Sequence, residues 1–438
     1  MTQAWHAELA WLGELRERVL IEVDGDRIAR VTYGIDAPER AVELHGLVLP
    51  GLANVHSHAF QRALRGRVEE TGGDFWGWRD QMYSLAAGIG PEALYDLALA
   101  TYGEMLMAGV TAVGEFHYLH HAPGGAHYPD TNLLARRLLE AARTAGLRIT
   151  LLDACYLRGG MDGRALAGAQ LRFGDGSAEA WAARVDELGE GEGMRLGAAV
   201  HSVRAVDEGS IARVAAWAAE RGAPLHVHLS EQPAENEECL AATGLTPTAL
   251  LERARALGAL TTAVHATHLS DEDVGRLGAS RTSVCLCPTT ERELADGIGP
   301  AALLAAAGSP LCLGSDSHAL IDLFEEARAV ELDERLALGR RGSHKPAALI
   351  EAATAAGMRA LGWDAGRIEA GMLADFIAVD LGSVRTAGII PEQVVFAASA
   401  ADVTDVVVGG RQVVREGRHA ELDVPALMRA AVSRATGS

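Results

Sequence analysis

Eight short apolar runs recur through the middle of the chain, each separated from the next by a stretch with helical spacing. They read LANVHSH (52–58), VTAVGEFHY (110–118), RITLLDACY (148–156), RLGAAVHSV (195–203), PLHVHLSE (224–231), TTAVHATH (261–268), TSVCLCP (282–288) and PLCLGSDS (310–317). Runs that stay apolar without alternating belong to strands covered on both faces, the signature of a parallel sheet flanked by helices. The Ala/Leu/Glu/Arg-rich stretches between them, such as PEALYDLALATYGEMLMAG and TNLLARRLLEAARTAG, supply the helices. Eight such repeats predict an α/β fold, a (β/α)8 TIM-like barrel, which takes about 250 residues. The chain has 438, leaving room for a satellite.

The two ends supply that satellite. VLIEVDGDRIARV (19–31) alternates around Asp24-Gly25, and DVVVGGRQVVREG (405–417) turns at Gly409-Gly410; both dipeptides suit a tight hairpin with positive φ. Hairpins at both termini flanking a long middle predict one small β-sandwich domain built from residues 1–47 and 366–438, the latter including a C-terminal tail, around a barrel at 48–365.

In such barrels functional residues sit at the C-terminal ends of strands. The polar residues here keep choosing that end: His56 and His58 on the first run, His117 and Tyr118 on the second, His201 on the fourth, His228 on the fifth, His265 on the sixth and Asp316 on the eighth. A lone histidine in an apolar run is more often a hydrogen-bonded core residue than a ligand. His56 and His58, however, are two residues apart and project from one face of a strand. With His228 and Asp316 they form a three-imidazole, one-carboxylate set suited to one Zn²⁺, with Fe²⁺ or Mn²⁺ as other options, and a position left for water. Such an ion lowers the pKa of its water towards ~7. His226 lies one layer deeper than His228 and reads as a packed residue. Glu231, three residues past His228, reads as a proton carrier, with a solvated loop acid as the plain alternative. His268 lies past its strand end and reads as a loop residue, which favours His265. His318 reads as a supporting residue rather than a ligand. His117, His120, His121 and His127 read as a partly exposed polar loop.

Composition narrows the function classes. A formal net charge of -20 argues against nucleic-acid or anionic-membrane partners. No window approaches the ~18–20 apolar residues of a membrane span, and the first twenty residues lack a basic start followed by an apolar core and a cleavage site, so a cytoplasmic protein is expected. The five cysteines, Cys155, Cys239, Cys285, Cys287 and Cys312, form no C-x-x-C pair and read as buried thiols in a reducing compartment.

H-x-H on the first strand, HLSE on the fifth, VHATH on the sixth and LGSDS on the eighth together resemble the amidohydrolase superfamily, and GRIEAGMLADFIAVD (366–380) resembles that superfamily's return into the β-domain. The superfamily includes binuclear members bridged by a carboxylated lysine, typically at the fourth strand's end. Here that strand ends AAVHSVRA, and the only lysine, Lys345, follows all eight strands. A single-metal deaminase remains. NVHSHAFQRALRG, FWGWRDQMY, EFHYLHH, HSVRAV and CPTTERELADG resemble more narrowly the N-formimino-L-glutamate deiminases of histidine degradation. The resemblance implies zinc on His56, His58, His228 and Asp316, with catalysis by Glu231, His265 and Asp316, the last as ligand and base. It also implies substrate contacts from Gln61, Arg79, Tyr118, His201 and Arg204, and a homodimer. A dicarboxylate substrate fits independently, because a protein this acidic needs arginine forks to hold it. Arg79, on the loop after the first strand, and Arg204 are the candidates. The plainer readings are that Arg79 stacks on Trp76 or Trp78, that Arg204 pairs with Asp207 and that His201 fills the barrel mouth. The rival functions are a single-metal deaminase of a purine, pterin or triazine ring, and a non-catalytic scaffold; the latter should have lost part of the constellation.

Overall fold

A computed structural model describes residues 3–68 and 75–437. The strands of the middle are β5 (Leu52–Ser57), β6 (Val110–His117), β7 (Arg148–Cys155), β8 (Met194–Val200), β9 (Leu225–Leu229), β10 (Thr261–His265), β11 (Ser283–Leu286) and β12 (Leu311–Leu313), preceded by β1 (Gln3–Trp11), β2 (Leu15–Asp24), β3 (Arg27–Thr32) and β4 (Val42–Pro50). β5 to β12 pair in parallel in sequence order. β5, β6 and β7 are buried along their whole length, which explains their unbroken apolar character.

The seam between first and last strands is closed just beyond β12. Asp316 N–H donates to His56 O (3.0 Å) and His58 N–H to Asp316 O (3.2 Å). Gly314 makes this approach feasible, since a Cβ there would stand 2.7 Å from His56 Cβ. The barrel is therefore nearly closed, and its seam carries three of the residues singled out above.

The terminal strands form a second sheet. β13 (Phe376–Val379), β14 (Val403–Val408), β15 (Arg411–Arg415) and β16 (Arg418–His419) join β1 to β4 in the order β16-β15-β14-β13-β4-β1-β2-β3. All pairs are antiparallel except β1 with β4. The sheet curls on itself, with Ile28 N–H donating to Met372 O and Ala374 N–H to Asp26 O, each 2.9 Å. It encloses a small core in which Trp5 meets Phe376 edge-on at 5.6 Å, with Ile21, Leu44 and Val407 buried in the same cluster. The β14–β15 turn falls at Gly409-Gly410, both at positive φ, whereas the β2–β3 turn is Gly25-Asp26, one residue later than the sequence reading placed it.

Arg148 at the start of β7 grips Asp375 with two bonds of 2.7 and 3.1 Å, and Asp375 also accepts from Gly409 N–H (2.7 Å). That buried fork ties the base of the barrel to the returning segment. The C-terminal tail is a helix, Val424–Thr436, seated on the helix Pro91–Met107 where Gly103 leaves space for Val424. No helix among the described residues is long and apolar enough to cross a membrane.

Candidate metal centre and active site

β5 and the residue after it present His56 and His58, β9 presents His228, and the turn after β12 presents Asp316. His58 Nδ1 donates to Phe116 O and His228 Nδ1 to His201 O, each at 2.9 Å. A carbonyl can only accept, so these neutral rings carry their proton on Nδ1 and leave Nε2 as a bare lone pair. Burial pushes His56 down to about 3 and lowers His58 and His228 as well, which holds all three in the neutral, ligating form. Burial opposes ionisation of Asp316, but the surrounding imidazoles, the cationic His265 among them, outweigh it and hold the carboxyl well below the usual carboxylate range.

His228 Nε2 lies 3.0 Å from His56 Nε2, and Asp316 Oδ1 lies 3.3 and 3.4 Å from Nε2 of His56 and His58. Four donors at about 2.0–2.1 Å from a common centre stand about 3.3–3.4 Å apart, so the set has the dimensions of a tetrahedral site. The buried Nδ1 of His56 has no hydrogen-bond partner. Lone pairs and a carboxylate crowded this closely repel one another unless a cation lies among them, and these residues fit a divalent ion.

Backbone strain concentrates here. Ser230, His265, Ala266, Asp316 and His318 all adopt positive φ without being glycine. Such conformations cost of order 1–3 kcal/mol each and persist where surrounding contacts over-determine them. One such set of contacts is a buried relay behind the donors: Glu115 accepts from Ser57 Oγ (2.6 Å) and Ala59 N–H (2.8 Å), and His318 bridges Ser57 Oγ (3.1 Å) and Ser315 Oγ (2.9 Å).

Beside the donors lies an acid–base group. His265 Nε2 is 3.6 Å from Glu231 Oε1 and 3.9 Å from Asp316 Oδ2, while its Nδ1 is 3.4 Å from Glu291 Oε1. Burial opposes its protonation, but Glu231 and Glu291 prevail and raise it well above the ordinary imidazole range. Burial pushes Glu231 up to about 7. A carboxyl poised there exchanges protons readily near neutrality.

The pocket over this group is lined by His58, Gln61, Arg79, Tyr118, His201, Arg204, His228, Glu231, His265 and Asp316. His56 lies beneath them, fully buried. Gln61 Nε2 donates to Tyr118 Oη at 3.0 Å. Arg79 stacks on Trp76 (4.4 Å) and Tyr83 (5.3 Å) while lining the pocket, and its buried Nε has no hydrogen-bond partner. It lies in the helix Phe75–Gly88, a correction to its placement on a loop. Arg204 pairs with Glu235 at 2.9 Å, whereas Asp207 instead caps the helix Glu208–Arg221. His226 donates from Nε2 to Ala360 O, away from the donor set. His268 bonds Asp296 O, and Cys285 and Cys287 are core residues.

The histidine-rich stretch is partly exposed only at its far end: His117 ends β6 and is buried with His120 and His121, whereas His127 is exposed. His117 pairs across the sheet with Asp153, which is held by Arg184 and Trp181 on the outer side of the barrel. Phe116, one residue earlier, faces the rings of His56, His58 and His228 instead. Residues missed in the sequence include Glu291, within the quoted CPTTERELADG stretch, and the shelf in which Gln170 Nε2 donates to Tyr156 Oη (3.0 Å) and Tyr83 Oη (3.4 Å).

The profile of the amidohydrolase family matches residues 47–413. This chain belongs to the amidohydrolase family. It is 38% identical to the formimidoylglutamate deiminase of Pseudomonas aeruginosa over 94% of this chain and 95% of that one. Among solved structures, an amidohydrolase from Brucella melitensis superposes with a TM-score of 0.91 at 34% identity, covering 99% of this chain and 100% of the other. An adenosine deaminase from Xanthomonas campestris with bound zinc superposes at 0.85 and 25% identity, covering 100% and 99%. The amidohydrolase described here is thus an enzyme acting on C–N bonds, of the deaminase type.

Proposed function

We propose that this amidohydrolase hydrolyses N-formimino-L-glutamate to N-formyl-L-glutamate and ammonia, a step of histidine degradation, with one zinc ion per chain. The observation that carries the reading is that Arg79 and Arg204 line the same pocket as the donor set in a protein of net charge -20. A substrate with two carboxylates needs such forks; a neutral ring does not. The 38% identity to a formimidoylglutamate deiminase over nearly the whole chain supports it.

His56, His58, His228 and Asp316 hold the ion, which when bound supplies the Lewis acidity that makes hydroxide available near neutral pH. Asp316 and Glu231 accept the proton released from water as its oxygen joins the formimino carbon. Glu231 delivers that proton to the imine nitrogen, leaving an amine on a tetrahedral carbon. The remaining hydroxyl proton then passes through Asp316 and Glu231 to the same nitrogen as the C–O double bond forms and the C–N bond breaks, and ammonia departs. His265, kept cationic by Glu231 and Glu291, stabilises the negative charge that the attack places on the heteroatoms of the tetrahedral adduct. Arg79 and Arg204 take the carboxylates, Gln61 and Tyr118 fix the glutamate backbone, and His201 holds the formimino end over the donor set.

Ammonia release from N-formimino-L-glutamate, compared with N-formimino-L-aspartate, guanine and adenosine, tests the assignment; preference for a purine overturns it. A purine is the second reading, favoured by the aromatic lining of Trp76, Tyr83, Tyr156 and Phe173. The enzyme is further proposed to work in the cytoplasm as a homodimer, which light scattering of the purified protein checks for assembly and cell fractionation for location.

A further inference from the structure

Glu235 is 1% exposed, and each of its carboxylate oxygens has a partner of a different kind. Oε2 accepts from Arg204 Nε at 2.9 Å, and Oε1 accepts from Ser230 N–H at 2.9 Å. Ser230 immediately precedes Glu231 and adopts φ +49°, a left-handed conformation that a serine does not hold without restraint. Its carbonyl is fixed as well, accepting from His268 N–H at 3.0 Å.

Glu235 occupies the third position of the helix Pro233–Thr243. A glutamate there commonly folds back onto the N–H of the capping residue. Here the cap is Gln232, and the carboxylate reaches two residues further back, to Ser230. Helix capping therefore does not account for its direction. Arg204 is secured from the other end too, since Arg158 donates to the carbonyls of Val203 (2.8 Å), Arg204 (3.2 Å) and Val206 (3.3 Å). With backbone and guanidinium both fixed, Arg204 meets a ligand in the pocket with few conformations left to lose.

We propose that Glu235 is a positioning residue that joins the arginine reading a substrate carboxylate to the strained peptide carrying the proton carrier Glu231. The proposal rests on the reading of Arg204 and Glu231 given above. One buried carboxylate thus sets both the affinity arm and the turnover arm of the site, and its two oxygens make the arms separable.

Glu235→Gln keeps one acceptor oxygen, which stays on Ser230 N–H because an orphaned buried donor is costly, and turns an amide towards Arg204. Its KM for N-formimino-L-glutamate should rise about 10-fold or more with kcat within about 3-fold. Glu235→Ala loses both partners, so kcat should fall by a further factor of about 10 or more. In an Arg204→Met background, Glu235→Gln should change KM less than about 2-fold, because its effect passes through the arginine. A residue that merely caps a helix would lower thermal stability and leave KM alone. An unchanged KM in Glu235→Gln, or a full effect in the Arg204→Met background, overturns the proposal. If the unaltered enzyme releases no ammonia from N-formimino-L-glutamate, the substrate reading fails, and the crystal structure of Glu235→Gln decides this one. Arg204 displaced with Ser230 still at positive φ upholds the tie; Arg204 unmoved overturns it.

Discussion

Replacing Gly314 by alanine perturbs the barrel at the seam that assembles the metal donors. An added Cβ would lie 2.7 Å from His56 Cβ and 3.0 Å from both His56 N and O. Carbon atoms pack at about 3.5–4.0 Å, so His56 and the Gly314–Asp316 turn must separate by about 1 Å. The neighbouring atoms are backbone and Cβ of a buried strand, which cannot rotate aside. Overpacking of this kind costs about 1–3 kcal/mol. The geometric consequence exceeds the energetic one, because a functional site tolerates displacements of only about 0.5 Å. Asp316 N–H bonds His56 O directly, so the turn cannot move without parting two of the four donors. Metal affinity should fall at least 10- to 100-fold, the range seen when groups that support ligands are removed. Competition against a chromogenic chelator measures the affinity, and urea denaturation of the metal-free protein measures the stability. Gly275→Ala is the control: it lies within the helix Asp271–Ser280 with nothing within 4 Å of the new Cβ, and should gain about 0.5–1 kcal/mol. Affinity within 2-fold and an unmoved midpoint for Gly314→Ala would refute the reasoning, since both follow from the same 2.7 Å contact.

The purified enzyme should carry one divalent ion per chain and lose activity to a chelator, with added zinc restoring it; two equivalents by elemental analysis would contradict a single donor set. Glu231→Gln should keep the metal and lower kcat by about 10²- to 10⁴-fold, measured by ammonia release. A carboxyl must be ionised to accept a proton, so kcat/KM should fall as pH drops through the pKa of Glu231, about 7 from burial and lower with a cation nearby. That acid limb should be absent from the residual activity of Glu231→Gln. Arg204→Met should cut kcat/KM by roughly 30-fold or more without altering metal content, and should lose little further on a substrate lacking the carboxylate it reads.

Much of this architecture is legible in the sequence because a barrel strand covered on both faces leaves an apolar run that no surface element imitates. The eight runs quoted above and the eight barrel strands coincide, each run overshooting its strand by one or more residues at an end. The overshoot is informative, since the extra residues, such as His58, Glu231 and Asp316, lie just past the strands at the barrel mouth and line the pocket. The histidines of the second strand show where the reading stops. Strand periodicity separates Phe116 from His117, but both faces of a barrel strand are buried, and nothing in the sequence states which face holds the centre. Glu291 and Glu235 escape for another reason. Each sits in the first turn of a helix that follows a strand, where an acid is expected for capping alone. Their actual partners, His265 and Arg204, are 26 and 31 residues away.

The site divides between two kinds of framework. The donors and the acid–base group stand on strand ends and the turns directly after them, held by ladder hydrogen bonds and by the relay through Ser57, His318 and Ser315. The side chains proposed to take the carboxylates stand elsewhere, Arg79 in the helix Phe75–Gly88 and Arg204 in the turn after β8, with Tyr156 and Gln170 lining the same mouth from the segment around and after the end of β7. Loops and helices over a fixed barrel mouth can be exchanged without moving the strands beneath. Metal affinity and substrate choice should therefore vary independently across most of the pocket. They meet at the Glu235 carboxylate, where the arginine proposed to read substrate and the peptide that carries Glu231 share one group. A changed substrate preference should be reached more readily through the helix Phe75–Gly88 than through Arg204, because replacing Arg79 leaves that carboxylate undisturbed, whereas replacing Arg204 leaves its Oε2 without a partner, buried close to Glu231.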